Sequence, residues 1–237
     1  MTLHGKTVLI AGGAGEVGEG LVRAFLDEGA TVVVPSRTRK KLDALRSAVP
    51  NPARLITKTA DIGTANGAVL LRDWIADEVG PLDAVVASIG GWWQGRPLTD
   101  VPLDTWHAVL DMGLTTHFNV AKTFIPVLAG RPGASYTFIN GAAGLDPIPG
   151  AGPLSVSSAG QFMLKDVMAA ENDTVRINTL VLATPVRTRS RPDGDEDWLT
   201  ADDAGAYAVF LASDAATDKH GDTIVFNSRD QLRPAAG

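Results

Sequence analysis

Short apolar runs alternate with longer amphipathic stretches along most of the chain. The runs are "TVLIAG" (7–12), "ATVVVP" (30–35), "ARLITK" (53–58), "LDAVVASIG" (82–90), "ASYTFIN" (134–140), "VRINTLVL" (175–182) and "DTIVF" (222–226). They are rich in β-branched residues and nearly continuous, the pattern of strands buried on both faces of a parallel sheet. Helical periodicity fills the gaps near 16–28, 38–48, 64–78, 104–129, 153–170 and 201–213, and Asp104 and Thr200 sit where helix caps belong. Strands and helices in strict alternation predict an α/β, Rossmann-type, doubly wound fold with a seven-stranded parallel sheet and right-handed crossovers. No linker, repeat or low-complexity block interrupts the pattern. A single domain over 1–230 is expected, with a flexible tail at 231–237.

The first strand runs into "AGGAGEVGEG" (11–20), which opens the first helix. Gly12, Gly15 and Gly18 form G-x-x-G-x-x-G within a strand–turn–helix unit, and with Val17 they make a candidate dinucleotide loop. Glycines permit the tight turn, and free N–H groups at the helix start face a pyrophosphate. Glu16 complicates this assignment. The helix dipole favours a carboxylate there, but a bound pyrophosphate repels it, so a Glu16 that points inward leaves the site without a cofactor. The second strand ends in Ser36 and Arg37, where an NAD-selective site has an acidic residue. With Arg37 placed to pair with a 2′-phosphate, NADP(H) is expected over NAD(H).

Composition narrows the partners. Of 237 residues, 45% are hydrophobic and 20% charged, which suits a globular core, and the net charge of −6 argues against nucleic acid or an anionic membrane surface. There is no cysteine, hence no disulfide and no thiolate chemistry. No secretory signal and no run of 18 apolar residues appear, so a cytoplasmic protein with a small-molecule ligand is the expectation.

These motifs, in this order, resemble the short-chain dehydrogenase/reductase family in its short single-domain form. Beyond the glycine loop, Asp61 and Ile62 in "TADIG" match the family's adenine-contacting pair. Ser88 and Gly90 lie where its fourth strand ends, and "YTFINGAAG", "VRINTLVLA" and the stretch 197–226 match later elements. The resemblance implies a homodimer or homotetramer paired through the helices near 104–129 and 153–170. It also implies four catalytic positions, and all four differ here. The family's Asn falls on Gly113, its Ser on Gly141, its Tyr on Leu154 and its Lys on Ser158. Hydride transfer at a carbonyl needs a proton at the oxygen, and neither Leu154 nor Gly141 can supply or hold one. Register is not the explanation. The two tyrosines, Tyr136 and Tyr207, are followed four positions on by Asn140 and Leu211, so no Tyr-x-x-x-Lys exists in the chain.

Other chemistry is sparse. No metal-ligand spacing and no nucleophile elbow occur. His117 lies one helical turn after Gly113, as an acid–base candidate or a helix-interface histidine. Trp92 and Trp93 follow the fourth strand, at the edge where such folds bind ligands, and with Asn140 and Leu154 they are the expected substrate pocket. The arginines of "TRSRPDGDED" are either anion-binding or balanced by the acidic residues beside them. Three readings stay open: an enzyme of non-standard, non-redox chemistry on a small apolar or aromatic molecule; a non-catalytic dinucleotide-binding or scaffolding protein; and an NADP-dependent oxidoreductase with substitute groups.

Overall fold

The computed structural model describes residues 2–232. Strands β1 (Thr7–Ala11), β2 (Thr31–Ser36), β3 (Leu55–Thr59), β4 (Ala84–Ala87), β5 (Ser135–Gly141), β6 (Arg176–Leu182) and β7 (Thr223–Phe226) each form on one of the seven apolar runs. They make one all-parallel sheet in the order β3-β2-β1-β4-β5-β6-β7. The order reverses between β1 and β4, and ligands of doubly wound folds bind at such a switch point. Six helical stretches connect the strands: α1 (Glu16–Asp27), α2 (Arg39–Ala48), α3 (Ala65–Glu78), a long broken helix, α6 (Gly152–Ala170) and α7 (Ala201–Ala212). The broken helix runs as α4 (Leu103–Leu110), a π-turn over Asp111–Thr115, and α5 (Thr116–Leu128).

Both faces of the sheet are covered, which is why the strands are apolar at successive positions. Val8, Ile10, Val32 and Val34 pack under α1, α2 and α7; Leu9, Ala11, Val33 and Val85 pack under α3 and α5. Thr200 caps α7 as expected, in a reciprocal capping box with Asp203. Asp104 is not a cap: Pro102 holds the cap position of α4, and Asp104 lies inside the first turn. The tail expected from 231 begins within a short turn, Arg229–Leu232, in which Gln231 bonds Val225 and Asn227; residues 233–237 lie outside those described. Among the described residues, no helix is long and apolar enough to cross a membrane.

Candidate functional site

At the switch point the loops after β1 and β4 touch. Gly12 adopts φ +84°, and a Cβ on it would stand 1.9 Å from the Ser88 carbonyl oxygen. A Cβ on Gly18 would stand 2.1 Å from the Gly12 carbonyl oxygen. Only hydrogen fits at either position, so α1 begins tight against the loop. Gly15 is the N-cap of α1 and offers no side chain, which leaves the first amide groups facing outward. Along the same edge stand Ser36, which ends β2, and the exposed Arg37 beyond it, then Asp61 and Ile62 after β3, then Gly90 (φ +118°) after β4. Asp61 Oδ1 accepts the Gly63 N–H at 3.1 Å, and Asn119 Nδ2 of α5 donates to the Gly63 carbonyl at 2.8 Å. The turn that presents Asp61 and Ile62 is thereby tied to the helix behind it. The expected cofactor residues therefore form one continuous edge, and Val17 stands beside it in the first turn of α1.

Glu16 points neither into the loop nor freely outward. Its carboxylate accepts the Ser190 hydroxyl at 2.6 Å, and bonds from Ser190 and Thr188 hold its pKa below the ordinary value. Glu19, one turn on, accepts Arg189 Nε at 3.1 Å. The arginine-rich insert is thus not simply a solvated loop: Arg189 finds its carboxylate on α1 rather than among Asp193, Asp195, Glu196 and Asp197.

The four positions that the resemblance assigns to catalysis differ in the room around them, although Asn140 links Gly141 to Ser158 and Gly113 abuts Ser157. A Cβ on Gly113 would meet Ser157 Oγ at 2.4 Å. That hydroxyl reaches from α6 to accept the Leu114 N–H at 3.1 Å, at the π-turn where the helical ladder slips. A Cβ on Gly141 meets nothing within 4 Å. Leu154 is half-buried and Ser158 is buried. Asn140, expected in the substrate pocket, is a brace. Its Oδ1 accepts the Gly141 N–H at 2.8 Å and its Nδ2 donates to the Ser158 carbonyl at 2.9 Å.

His117 has no surface exposed to solvent. It stacks on Phe138 with ring centroids 5.4 Å apart, and Nε2 lies 3.2 Å from the Ile89 carbonyl. Burial pushes its pKa down to about 4, so the ring is neutral and walled off from any bound molecule. Neither tyrosine faces the edge. Tyr136 is enclosed in the core, where burial raises its pKa, and Tyr207 packs on Phe210 and Phe226.

A cleft of about 540 Å³ lies between the loop after β4 and the segment leading into α6. Pro97 and Leu98 form one wall; Pro147, Ile148 and Pro149 form the other. A hydrogen bond from Gly95 N–H to the Gly150 carbonyl, 2.8 Å, laces the walls together. Of the two tryptophans, Trp92 is 66% exposed and neither lines the cleft, although the Trp93 ring packs beside Gly95. The proline-rich wall escaped the sequence reading because loop residues 97 and 147–149 meet only through the tertiary fold. Among the described residues, no three His, Asp or Glu side chains gather as a metal site.

A doubly wound sheet with a glycine turn at its switch point defines an α/β protein of the Rossmann type. A family model described as short chain dehydrogenase matches residues 6–196, and the chain belongs to that family. Its members bind nicotinamide dinucleotides. A short chain dehydrogenase/reductase, dpchG, of Colletotrichum higginsianum is 34% identical over 143 residues, which cover 60% of this chain and 53% of the relative. The chain thus aligns with only about half the length of that relative. Among solved structures, a short-chain type dehydrogenase/reductase of Mycobacterium ulcerans superposes with a TM-score of 0.87 at 22% identity, covering 98% of this chain and 92% of the other. A short chain dehydrogenase of Shigella flexneri 2a, solved in complex with NADP, superposes at 0.83 with 20% identity over 94% and 97% of the two chains.

Proposed function

We propose that the protein binds NADP(H) along the carboxyl edge of its sheet and holds a small apolar molecule in the adjoining proline-lined cleft. In this reading it does not perform the family's proton-coupled hydride transfer. A bound nicotinamide dinucleotide supplies a hydride donor or acceptor. The groups around it decide whether a proton can follow. Gly12 and Gly18 let the loop close on itself and on the β4 loop, and Gly15 leaves the first amide groups of α1 without a side-chain cap, open to a diphosphate. Asp61 and Ile62 border an adenine position. Arg37, exposed and with no carboxylate at the end of β2, is suited to a 2′-phosphate. The neighbour solved with NADP is consistent with that choice.

The observation that carries the reading is the lining of the cleft. Pro97, Leu98, Pro147, Ile148, Pro149 and the glycines beside them include no titratable group. With His117 and Tyr136 enclosed and Asn140 engaged, nothing there is placed to exchange a proton with a carbonyl or alcohol. This favours a binding role over the two catalytic readings, non-redox chemistry and an oxidoreductase with substitute groups. The protein is further proposed to act as a homodimer or homotetramer through α4–α5 and α6. Leu103, Met112 and Phe118 on one and Val156, Met163 and Val167 on the other leave apolar surface exposed.

Turnover tests the reading. Wild type with NADPH or NADP is expected to leave a broad panel of carbonyls and alcohols unchanged. The triple variant Gly141→Ser, Leu154→Tyr, Ser158→Lys is expected to gain reductase activity. Robust wild-type turnover would contradict the binding role, and a folded but inactive triple variant would contradict the assignment of Gly141, Leu154 and Ser158.

A further inference from the structure

The stretch between β6 and α7 crosses the edge of the sheet as a strap, and its tip is a closed turn. Thr188 N–H donates to the Arg191 carbonyl at 3.3 Å, and Arg191 N–H donates back to Thr188 at 3.0 Å. Within the turn, the Thr188 and Ser190 hydroxyls lie 3.3 Å apart and both serve the Glu16 carboxylate. A second tie runs beside the first. Arg189 pairs with Glu19, Glu19 pairs with Arg23 at 2.7 Å, and Arg23 pairs with Asp202 in the first turn of α7 at 2.7 Å. Glu19 is 9% exposed, so this chain of charges is partly shielded from solvent. The strap is therefore pinned at its tip to the first turn of α1, and the same helix is ion-paired to the element that follows the strap.

We propose that Glu16 is the residue that sets nucleotide affinity, acting as both an internal anion and a latch. It is the first residue of α1, where a diphosphate would meet the free amide groups. Its negative charge disfavours a diphosphate there, and its grip on Ser190 keeps the strap folded over the same turn. A diphosphate binds with the Glu16–Ser190 hydrogen bond broken and the strap tip released. The inference rests on the nucleotide reading above and adds its regulation.

Two variants separate charge from latch. Glu16→Gln removes the charge but keeps an oxygen that can accept from Ser190; Ser190→Ala removes the hydroxyl and keeps the charge. Two readouts are taken on the full chain: trypsin cleavage after Arg187 and Arg189, both in the strap, and fluorescence titration with NADPH. Ser190→Ala is expected to be cleaved several-fold faster than wild type, and both variants to bind NADPH more tightly, Glu16→Gln by roughly tenfold. Equal cleavage of wild type and Ser190→Ala would overturn the latch. Faster cleavage with unchanged NADPH affinity in both variants would overturn its control of binding. Faster cleavage with no NADPH binding by any form would uphold the latch and overturn the nucleotide reading instead.

Discussion

Of the two readings open for His117, acid–base group or interface packing, its surroundings match packing, against Phe138 of β5 rather than against another helix. Spacing puts it one turn after Gly113, on the side that suggests the active centre. The structure buries it while its neighbour Phe118 remains 42% exposed, an inversion of ordinary hydrophobicity that only tertiary packing produces. A consequence follows for stability. The folded-state pKa of His117 is about 4 against an ordinary 6.5, so as pH falls the unfolded chain takes up the proton first. The stabilisation is complete above 6.5 and is lost progressively down to about 4, with a ceiling on the order of 3 kcal/mol. Urea unfolding followed from about pH 7 to about pH 5 is expected to show falling stability in wild type and a flatter profile in His117→Phe. Two glycines give the matching test of space. Gly113→Asn drives a side chain into Ser157 and is expected to cost about 1–3 kcal/mol, whereas Gly141→Ser enters open space and is expected to change the melting temperature little.

Among the elements, all seven sheet strands were legible because strands covered on both faces need apolar residues at successive positions. The helices were legible from their periodicity, and Thr200 from its cap. The interruption of the long helix at 111–115 was not. There the hydroxyl of Ser157, 43 positions away, takes the Leu114 N–H, and no local pattern reports a partner on another helix. The glycine loop is the opposite case, since the strand–turn–helix context announced Gly12 and the structure gives its reason. Gly12→Ala requires a positive φ and a contact that no Cβ tolerates, so it is expected to destabilise by roughly 2 kcal/mol or more in urea unfolding. A variant as stable as wild type would mean that the β1 and β4 loops are not held together at the switch point. The cleft was only half legible: the sequence drew attention to the loop after β4, but to its tryptophans rather than to the prolines that form the wall.

At the scale of the whole molecule, fold and family membership followed from the order of motifs, while function depended on which groups the fold brings to one edge. Assembly is proposed from the exposed apolar face of α6. The protein is expected to elute as a dimer or tetramer in light scattering, and Met163→Glu, which places a charge on that face, is expected to shift it toward monomer. The edge from Gly12 to Arg37 is proposed as an NADP(H) site despite the carboxylate of Glu16. Calorimetric titration of the full chain with NADPH and with NADH tests it most directly. NADPH is expected to bind at least tenfold tighter than NADH, with Arg37→Ala removing most of the difference. Equal or tighter binding of NADH, or no heat from either nucleotide at millimolar concentration, would contradict it.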